Sequence, residues 1–265
     1  MRMIGIEDGR SAFGADAANY DAARPEYPAR IYEILRERCG LKAGTCAFEI
    51  GPGTGLATRR LLEAGASVTA IEPDARLAAK LRDCADDPPL RIIHATFEAA
   101  ALPQGAFDLG TSATAFHWMD QRAALAKVAS VLRPGGWWAA WWNVFGDPDR
   151  HDPFHDATTH LFQASASPSF SPLFKHPFAL HSEARIADLE SVGSFTDIGF
   201  DVSHWTLVLT ASQTRALYAS FSNVTTLPEA ERTKLLDAIH DIAATTFKDR
   251  VERHMCTALY TARRR

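Results

Sequence analysis

The chain has 265 residues, of which 46% are hydrophobic and 23% are charged, and its net charge is -4. A chain of this length forms one large globular domain or one domain with an appended segment, and the composition excludes a disordered, fibrous or membrane-embedded protein. The small negative charge argues against a dedicated nucleic-acid-binding surface, which would carry a basic excess, and the run Arg263-Arg264-Arg265 is too short to supply one.

Short apolar runs alternate with helical patterns through the first half of the chain, which is typical of βαβ units around a parallel sheet. Five strands are predicted, at Cys46–Ile50, Ser67–Ile71, Arg91–His94, Phe107–Thr111 and Trp137–Trp142. The predicted helices run from Pro28 to a stop at Gly40, from Thr54 to a stop at Gly65, and over Ala75–Leu81 and Gln121–Leu132.

The alternation stops at Phe145, because the segment up to His181 is rich in Pro, His, Ser and Phe and has no clean period. We interpret this segment as an insertion with some helix. The elements predicted after it are a helix over Glu183–Val192, two β runs at Phe195–Phe200 and Val202–Leu209, and two final helices over Ser212–Phe221 and Pro228–Phe247. The predicted fold class is α/β: a Rossmann-like, seven-stranded and mostly parallel sheet with an antiparallel edge strand and helices on both faces.

The segment Glu49-Ile50-Gly51-Pro52-Gly53-Thr54-Gly55 follows a predicted strand and opens a helix. Its alternate glycines predict a tight turn that lets a nucleotide-like ligand approach the main chain. A dinucleotide-binding turn has the spacing Gly-x-Gly-x-x-Gly, and Leu56 occupies its last glycine position. The alternative is a loop that the glycines only shape.

Two acids accompany this turn. Glu49 would repel a pyrophosphate but attract the ammonium of an amino-acid moiety, and Glu72, at the end of the next strand, is placed to accept hydrogen bonds from ribose hydroxyls. S-adenosylmethionine has that ammonium and no phosphate, so the pair favours it over a dinucleotide. The alternative is that both carboxylates are simply solvated.

The chain resembles the class I S-adenosylmethionine-dependent methyltransferases, particularly the small-molecule branch similar to trans-aconitate methyltransferase. Motif I of that family resembles residues 49–55, and its later motifs resemble residues 68–73, 94–98, 102–103, 107–109 and 132–136. Outside this core, residues 20–28 resemble the N-terminal lid segment, Phe116-His117-Trp118 resembles the segment after motif II, and residues 259–263 also resemble the family.

The resemblance implies S-adenosylmethionine as the cofactor and S-adenosylhomocysteine as the product. The residues that it places around the cofactor are Tyr20 and Arg24 at the carboxylate, Glu49, Gly51 and Gly53 at the methionyl part, Glu72 at the ribose, Pro73, Thr96 and Phe97 at the adenine, and Ala113 and His117 beside the sulfonium. Arg24 suits this position because a guanidinium binds a carboxylate through two hydrogen bonds.

Methyl transfer from a sulfonium needs an aligned acceptor and exclusion of water, and it needs a base only if the acceptor must lose a proton. His117 is the candidate for that base, and a packing or hydrogen-bonding histidine is the alternative. Tyr27, Trp118 and Trp142 are candidates to line an apolar acceptor pocket. The predicted partner is a small-molecule acceptor, an organic acid or an aromatic metabolite, with no nucleic acid; the protein is predicted to be a monomer or homodimer.

Two further functions are considered: an NAD(P)-dependent oxidoreductase on the same kind of fold, and a protein that binds S-adenosylmethionine without catalysis. No metal site is predicted, because Pro153 interrupts the run that holds His151, His155 and His160 and no His-Glu-x-x-His pattern is present.

We expect a single methyltransferase domain over residues 1–265. Its parts are an N-terminal lid and helix (1–40), a cofactor-binding core (41–143), an insertion that forms the acceptor pocket (144–182), and C-terminal strands and helices (183–265). The four cysteines form no Cys-x-x-Cys pair, and no apolar stretch approaches the roughly 20 residues of a membrane span. These features predict reduced thiols and a cytoplasmic protein.

Overall fold

The computed structural model describes residues 2–3, 23–84, 90–162, 165–166 and 177–265. The strands in these ranges are β1 (Arg2–Met3), β2 (Cys46–Ile50), β3 (Ser67–Ile71), β4 (Leu90–Ile93), β5 (Phe107–Ala113), β6 (Leu132–Phe145), β7 (Ser165–Ala166), β8 (Phe195–Leu209) and β9 (Val251–Arg264). The helices are α1 (Ala29–Glu37), α2 (Leu56–Glu63), α3 (Ala75–Leu81), α4 (Gln121–Val131), α5 (Pro153–Thr158), α6 (Ser182–Ser191), α7 (Ala211–Ala219), α8 (Ser222–Thr225) and α9 (Glu229–Thr245).

Within the described residues, a seven-stranded sheet has the order β4-β3-β2-β5-β6-β9-β8. The pairs β2–β3, β2–β5, β3–β4 and β5–β6 are parallel, and the sheet has an antiparallel edge. The predicted fold class is therefore confirmed. The strand order reverses between β2 and β5, and open α/β sheets bind ligands at the carboxyl ends of the strands beside such a reversal.

The central strand β2 shows why the sequence folds this way. Parallel strands are covered on both faces and read as almost continuous apolar runs. Ala47 and Phe48 of β2 are fully buried, and Glu49 is the one carboxylate of this strand. A carboxylate in a strand that is otherwise apolar has no packing reason to be there, so it marks a candidate site.

The chain forms two compact units, which we call the core unit (27–143, 178–203 and 257–265) and the second unit (1–26, 144–177 and 204–256). The core unit buries one cluster of apolar side chains from α1, α2, α3 and the sheet strands. The described residues of the second unit bury another cluster around Phe154, Leu217 and Ile239. No helix in the described ranges is long and apolar enough to cross a membrane. The single domain expected from the sequence stays a prediction.

Three strand predictions were wrong in extent or number. β8 is one continuous strand from Phe195 to Leu209, where two runs were predicted, and β6 begins at Leu132 rather than at Trp137. The chain ends in β9, where no strand was predicted. β9 contains Arg253, which would be costly to bury alone; it pairs with Asp152, 101 positions earlier in the chain, a partner that local sequence does not reveal.

Candidate functional site

The candidate site lies at the carboxyl ends of β2, β3, β5 and β6 in the core unit. Ile50 pairs with Ile71 in the β2–β3 register, and Ala113 pairs with Trp141 in the β5–β6 register. The residues that follow these pairs therefore emerge at the same edge of the sheet. They include the glycine turn, Glu72 and the segment that holds His117.

The three glycines of the turn all have positive φ, but they serve different purposes. A Cβ on Gly51 (φ +63) would lie 2.5 Å from Cβ of Ala115, and one on Gly55 (φ +92) would lie 2.6 Å from Sγ of Cys84. Gly53 (φ +60) has no described atom within 4 Å of such a Cβ. Gly51 and Gly55 therefore allow close packing, whereas Gly53 leaves open space beside the main chain.

Glu49 is fully buried at the start of this turn. Its Oε2 accepts a hydrogen bond of 2.6 Å from the hydroxyl of Thr58, while its Oε1 is buried without a hydrogen-bond partner in the described part of the chain. Burial raises the pKa of Glu49 to about 7, against the opposing effect of the Thr58 hydrogen bond. The site thus contains a buried carboxylate oxygen that is an unsatisfied hydrogen-bond acceptor.

Glu72 connects the glycine turn to the end of β3. Its two oxygens accept hydrogen bonds from the backbone N–H groups of Gly53 and Asp74, each at 3.0 Å. Burial raises the pKa of this carboxyl, although both hydrogen bonds favour its ionised form. Each carboxylate oxygen can accept a second hydrogen bond, so Glu72 keeps capacity for a ligand hydroxyl.

The segment predicted to surround the adenine is held mainly through its main chain. The carbonyl of Pro73 lies 3.0 Å from Nε2 of His94, and the hydroxyl of Thr96 accepts a hydrogen bond of 3.3 Å from a backbone N–H. The ring of Phe97 is buried and stacks on Phe48 with centroids 6.0 Å apart. Phe97 therefore belongs to the core through its side chain, and only its main chain is left to contact an adenine.

Lys127 supports this segment from α4. Its Nζ donates hydrogen bonds to the carbonyls of Phe97, Glu98 and Ala100, at 2.6, 3.0 and 2.7 Å. An ammonium has three donors and no acceptor, so these carbonyls use its full capacity. Burial lowers the pKa of Lys127.

The end of β5 contains a strained residue. Thr114 follows Ala113 and has φ +61, which is uncommon for a β-branched side chain. Its N–H donates to the carbonyl of Trp141 at 2.7 Å, and its hydroxyl lies 3.0 Å from the hydroxyl of Tyr27. Such strain persists where neighbouring contacts fix it, and it concentrates at functional sites.

His117 lies in a short 3-10 turn, Phe116–Trp118, that follows this strained residue. Its Nδ1 accepts a hydrogen bond of 3.1 Å from Nε1 of Trp142. Its ring centroid lies 4.8 Å from that of Trp118 and 5.9 Å from that of Phe178. Burial lowers the pKa of His117 to about 4, so this histidine is neutral at physiological pH. The structure thus brings together His117 and two of the predicted pocket residues.

Two predicted site residues are not among these. Tyr20 lies outside the described residues. Arg24 belongs to the second unit, where its Nη2 donates to the carbonyl of Ser220 at 3.0 Å and its guanidinium lies 4.9 Å from the ring centroid of Phe221.

Sequence reasoning missed Thr58, Thr114 and Lys127. Thr58 had a signal that was available: it lies nine positions after Glu49, in the first turn of the helix that the glycine turn opens. Thr114 and Lys127 act through backbone geometry and long-range contacts, for which the sequence has no local signal.

Two of the residues in the run considered for a metal site have other partners. His151 pairs with Asp156 at 2.8 Å on the surface, and Asp152 pairs with Arg253. Across the described ranges, no group of three or more His, Cys, Asp or Glu residues is arranged to hold a metal ion.

Comparison with known proteins gives consistent results. The family described as "Methyltransferase domain" matches residues 48–140. An uncharacterized methyltransferase of Mycobacterium bovis is 28% identical over 88% of this chain and 86% of its own length. A second uncharacterized methyltransferase, from Schizosaccharomyces pombe, is 24% identical over 94% of this chain and 96% of its own length.

Solved structures share the fold. A proposed type II methyltransferase of Anaeromyxobacter dehalogenans aligns with a TM-score of 0.59 at 20% identity, covering 91% of this chain and 97% of that one. Phosphoethanolamine N-methyltransferase 2 of Haemonchus contortus aligns with a TM-score of 0.58 at 14% identity, over 95% of this chain. This chain spans only 57% of that enzyme's length.

The fold and the glycine turn define a Rossmann-like methyltransferase domain. The domain match, the relatives and the shared fold together support a class I S-adenosylmethionine-dependent methyltransferase. The resemblance stated from the sequence is confirmed at this level. The matched proteins do not identify the methyl acceptor of this chain, so the likeness to trans-aconitate methyltransferase stays a prediction.

Proposed function

We propose that the chain transfers a methyl group from S-adenosylmethionine to a small organic acceptor at the carboxyl edge of β2, β3 and β5. The observation that carries this proposal is the unpartnered Oε1 of Glu49 beside the open turn at Gly53. A buried polar atom without a hydrogen bond destabilises the folded chain. A ligand that supplies the missing hydrogen bond explains why such an atom is present.

The chemistry of Glu49 selects the ligand. An ammonium supplies N–H donors and a charge opposite to that of the carboxylate, whereas a pyrophosphate would bring a like charge. S-adenosylmethionine, when bound, supplies a methyl group on a sulfonium that is already activated for displacement. The fold neighbour from Haemonchus contortus was solved with S-adenosylhomocysteine and phosphomonomethylethanolamine, which agrees with such a ligand at this fold.

The other predicted contacts follow from the same edge of the sheet. Glu72 would accept hydrogen bonds from the ribose hydroxyls while its backbone contacts hold the turn in shape. The main chain around Pro73, Thr96 and Phe97 would border the adenine. Gly51 and Ala113 complete the set at this edge, whereas the roles of Tyr20 and Arg24 rest on the family resemblance alone.

The acceptor would lie against the aromatic side chains around His117. Trp142 is almost completely buried, Phe178 packs edge-on against it with centroids 5.5 Å apart, and the ring of Trp118 lies 4.8 Å from the imidazole of His117. Walls of this kind exclude water and favour an apolar or aromatic organic molecule over a polymer or a hydrated ion. Tyr27 would join this pocket through its contact with Thr114.

The test is ligand binding to the purified full chain. S-adenosylhomocysteine should raise the melting temperature, and NAD and NADP should not, because only a ligand that binds the native state stabilises it. Calorimetry on Glu72→Gln should show S-adenosylhomocysteine binding weaker by roughly 10-fold or more. Glu63→Gln, at an exposed carboxylate of α2, is the matched control and should bind normally.

Each outcome decides between functions. Unchanged affinity in Glu72→Gln would refute the ribose contact, and stabilisation by NAD alone would support the oxidoreductase. Binding of the cofactor with no release of S-adenosylhomocysteine across a panel of organic acids and aromatic metabolites would support the non-catalytic alternative.

A further inference from the structure

The hydrogen bond between Trp142 and His117 has a fixed direction. An indole N–H can only donate, so Nδ1 of His117 must be the acceptor and carries no proton. A neutral imidazole has one proton, which therefore lies on Nε2. Within the described part of the chain, no residue accepts a hydrogen bond from that Nε2–H group, and His117 is only partly buried.

The surroundings of His117 also oppose a second proton. Protonation of Nδ1 would set two N–H groups against each other across a distance of 3.1 Å. Trp118, Phe178 and Trp142 surround the ring with apolar surface, which disfavours the charged imidazolium.

We propose that Trp142 is a positioning residue that fixes His117 as the neutral Nε2–H tautomer, so that His117 donates a hydrogen bond to the methyl acceptor and does not act as a general base. The inference rests on the proposed methyl transfer for the identity of the bound molecule. The tautomer itself depends only on the contact between the two side chains.

This assignment limits the acceptor. A base needs a free lone pair, and in this tautomer Nε2 already carries a proton while the lone pair of Nδ1 faces the indole. A methyl acceptor that must lose a proton in order to react cannot transfer that proton to His117. The pocket therefore suits an acceptor whose reacting atom already has an available lone pair and which offers an oxygen to the Nε2–H group.

The experiment is nuclear magnetic resonance of the full chain labelled with ¹⁵N-histidine, with and without saturating S-adenosylhomocysteine. Two-bond proton–nitrogen correlations identify the tautomer of each imidazole, and the spectrum of His117→Gln assigns the His117 signals. We expect the Nε2–H pattern, unchanged from about pH 8 to about pH 5, a range that normally includes histidine titration.

Two variants separate the hydrogen bond from mere packing. Trp142→Phe keeps an aromatic ring but removes the donor, so His117 should show both tautomers and begin to titrate within that range. Trp118→Phe removes the other neighbouring indole and should keep the Nε2–H pattern.

The proposal is overturned by an Nδ1–H pattern in the wild type, by titration of wild-type His117 above about pH 5, or by a Trp142→Phe spectrum identical to the wild type. Failure of the proposed function has a different signature. In that case S-adenosylhomocysteine leaves the spectrum and the melting temperature unchanged, while the tautomer is still read from the ligand-free chain.

Discussion

The hydroxyl of Thr58 donates a hydrogen bond of 2.6 Å to Glu49, and both side chains are fully buried. This bond fixes one carboxylate oxygen and favours the ionised form of the acid. The second oxygen is thereby held in one orientation with its lone pairs unused.

Replacing Thr58 by valine keeps the volume and removes the donor. The pKa of Glu49 should rise further, because the hydrogen bond that lowers it is lost. At neutral pH less of the carboxylate is then ionised, so S-adenosylhomocysteine should bind about 10-fold more weakly, the size of one hydrogen bond to a charged group. Calorimetry measures this, with the exposed Thr246→Val as the control. Equal affinities in both variants would remove Thr58 from the site.

Cofactor binding should depend on pH through Glu49. An ammonium pairs with the ionised carboxylate, and burial raises the pKa of that group to about 7. A single linked proton then strengthens the binding of S-adenosylhomocysteine roughly 10-fold between about pH 6 and about pH 8. Glu49→Gln should bind weakly with no such dependence. A Glu49→Gln variant with the wild-type pH profile would assign the titration to another group.

The stability of the ligand-free chain should change in the opposite direction. The pKa of Glu49 is raised from 4.5 in the unfolded chain to about 7 in the folded one, so across that window the folded chain holds a proton that the unfolded chain has released. The free energy of unfolding therefore falls as pH rises through the window. The pKa of Glu72 is also raised in the folded chain, so this residue contributes a decrease in the same direction. Urea denaturation at a series of pH values measures this slope, and Glu49→Gln should reduce it.

The residues of the site differ in how well the sequence alone predicts their roles. Gly51, Gly53 and Glu49 stand in one segment after an apolar run, and their chemistry can be interpreted from spacing alone. His117 could be placed at the site from its position after β5, but its tautomer could not, because Trp142 lies 25 positions away. Phe97 was predicted at the adenine from the family resemblance, and the sequence alone did not indicate that its ring packs on Phe48, which lies 49 positions earlier.

The strands of the sheet also differ in how well the sequence alone predicts them. β2 to β5 were predicted closely because buried parallel strands are apolar and are separated by clear helix and turn signals. β9 was missed because its polar residues are satisfied at long range: Thr257 donates to Asn143 at 2.7 Å, across 114 positions. Local hydrophobic periodicity contains no information about such a partner.

The glycines of the turn should separate folding from ligand binding. Gly53→Ala strains a residue at φ +60 but meets no described atom within 4 Å, and Gly40→Ala does the same at φ +73 outside the site. Both should therefore cost about 1 kcal/mol of stability, and only Gly53→Ala should also lose binding of S-adenosylhomocysteine. Melting temperatures and calorimetry on the two variants test this. Normal binding by Gly53→Ala would mean that the ligand does not approach the main chain there.

Gly51→Ala should behave differently from Gly53→Ala. Its Cβ would lie 2.5 Å from that of Ala115, so the segment that carries His117 must move. We expect a loss of stability of about 2–4 kcal/mol, from backbone strain and overpacking together. The double variant Gly51→Ala/Ala115→Gly should recover part of this loss; no recovery would show that the cost is in the backbone alone.

The second unit offers a prediction that is independent of the site. Arg253 and Asp152 are both buried and joined at 2.7 Å, and Arg253 also donates to the hydroxyl of Tyr218 at 2.8 Å. Asp152→Asn keeps a side chain that can cap α5, as Asp152 does through the N–H of His155, but leaves the guanidinium without its counter-ion. Breaking a buried pair in this way should cost about 3–5 kcal/mol in urea denaturation.

Two further variants show whether the unpaired charge of Arg253 causes the loss of stability in Asp152→Asn. Asp156→Asn alters a contact with His151 in the same region, whose two side chains are 62% and 74% exposed, and it should leave the urea midpoint nearly unchanged. In Asp152→Asn/Arg253→Met the unpaired charge is gone, so the double variant should be more stable than Asp152→Asn alone. If the double variant is instead less stable than Asp152→Asn, then Arg253 stabilises the second unit mainly through Tyr218 and its apolar stem, and the ion pair is secondary.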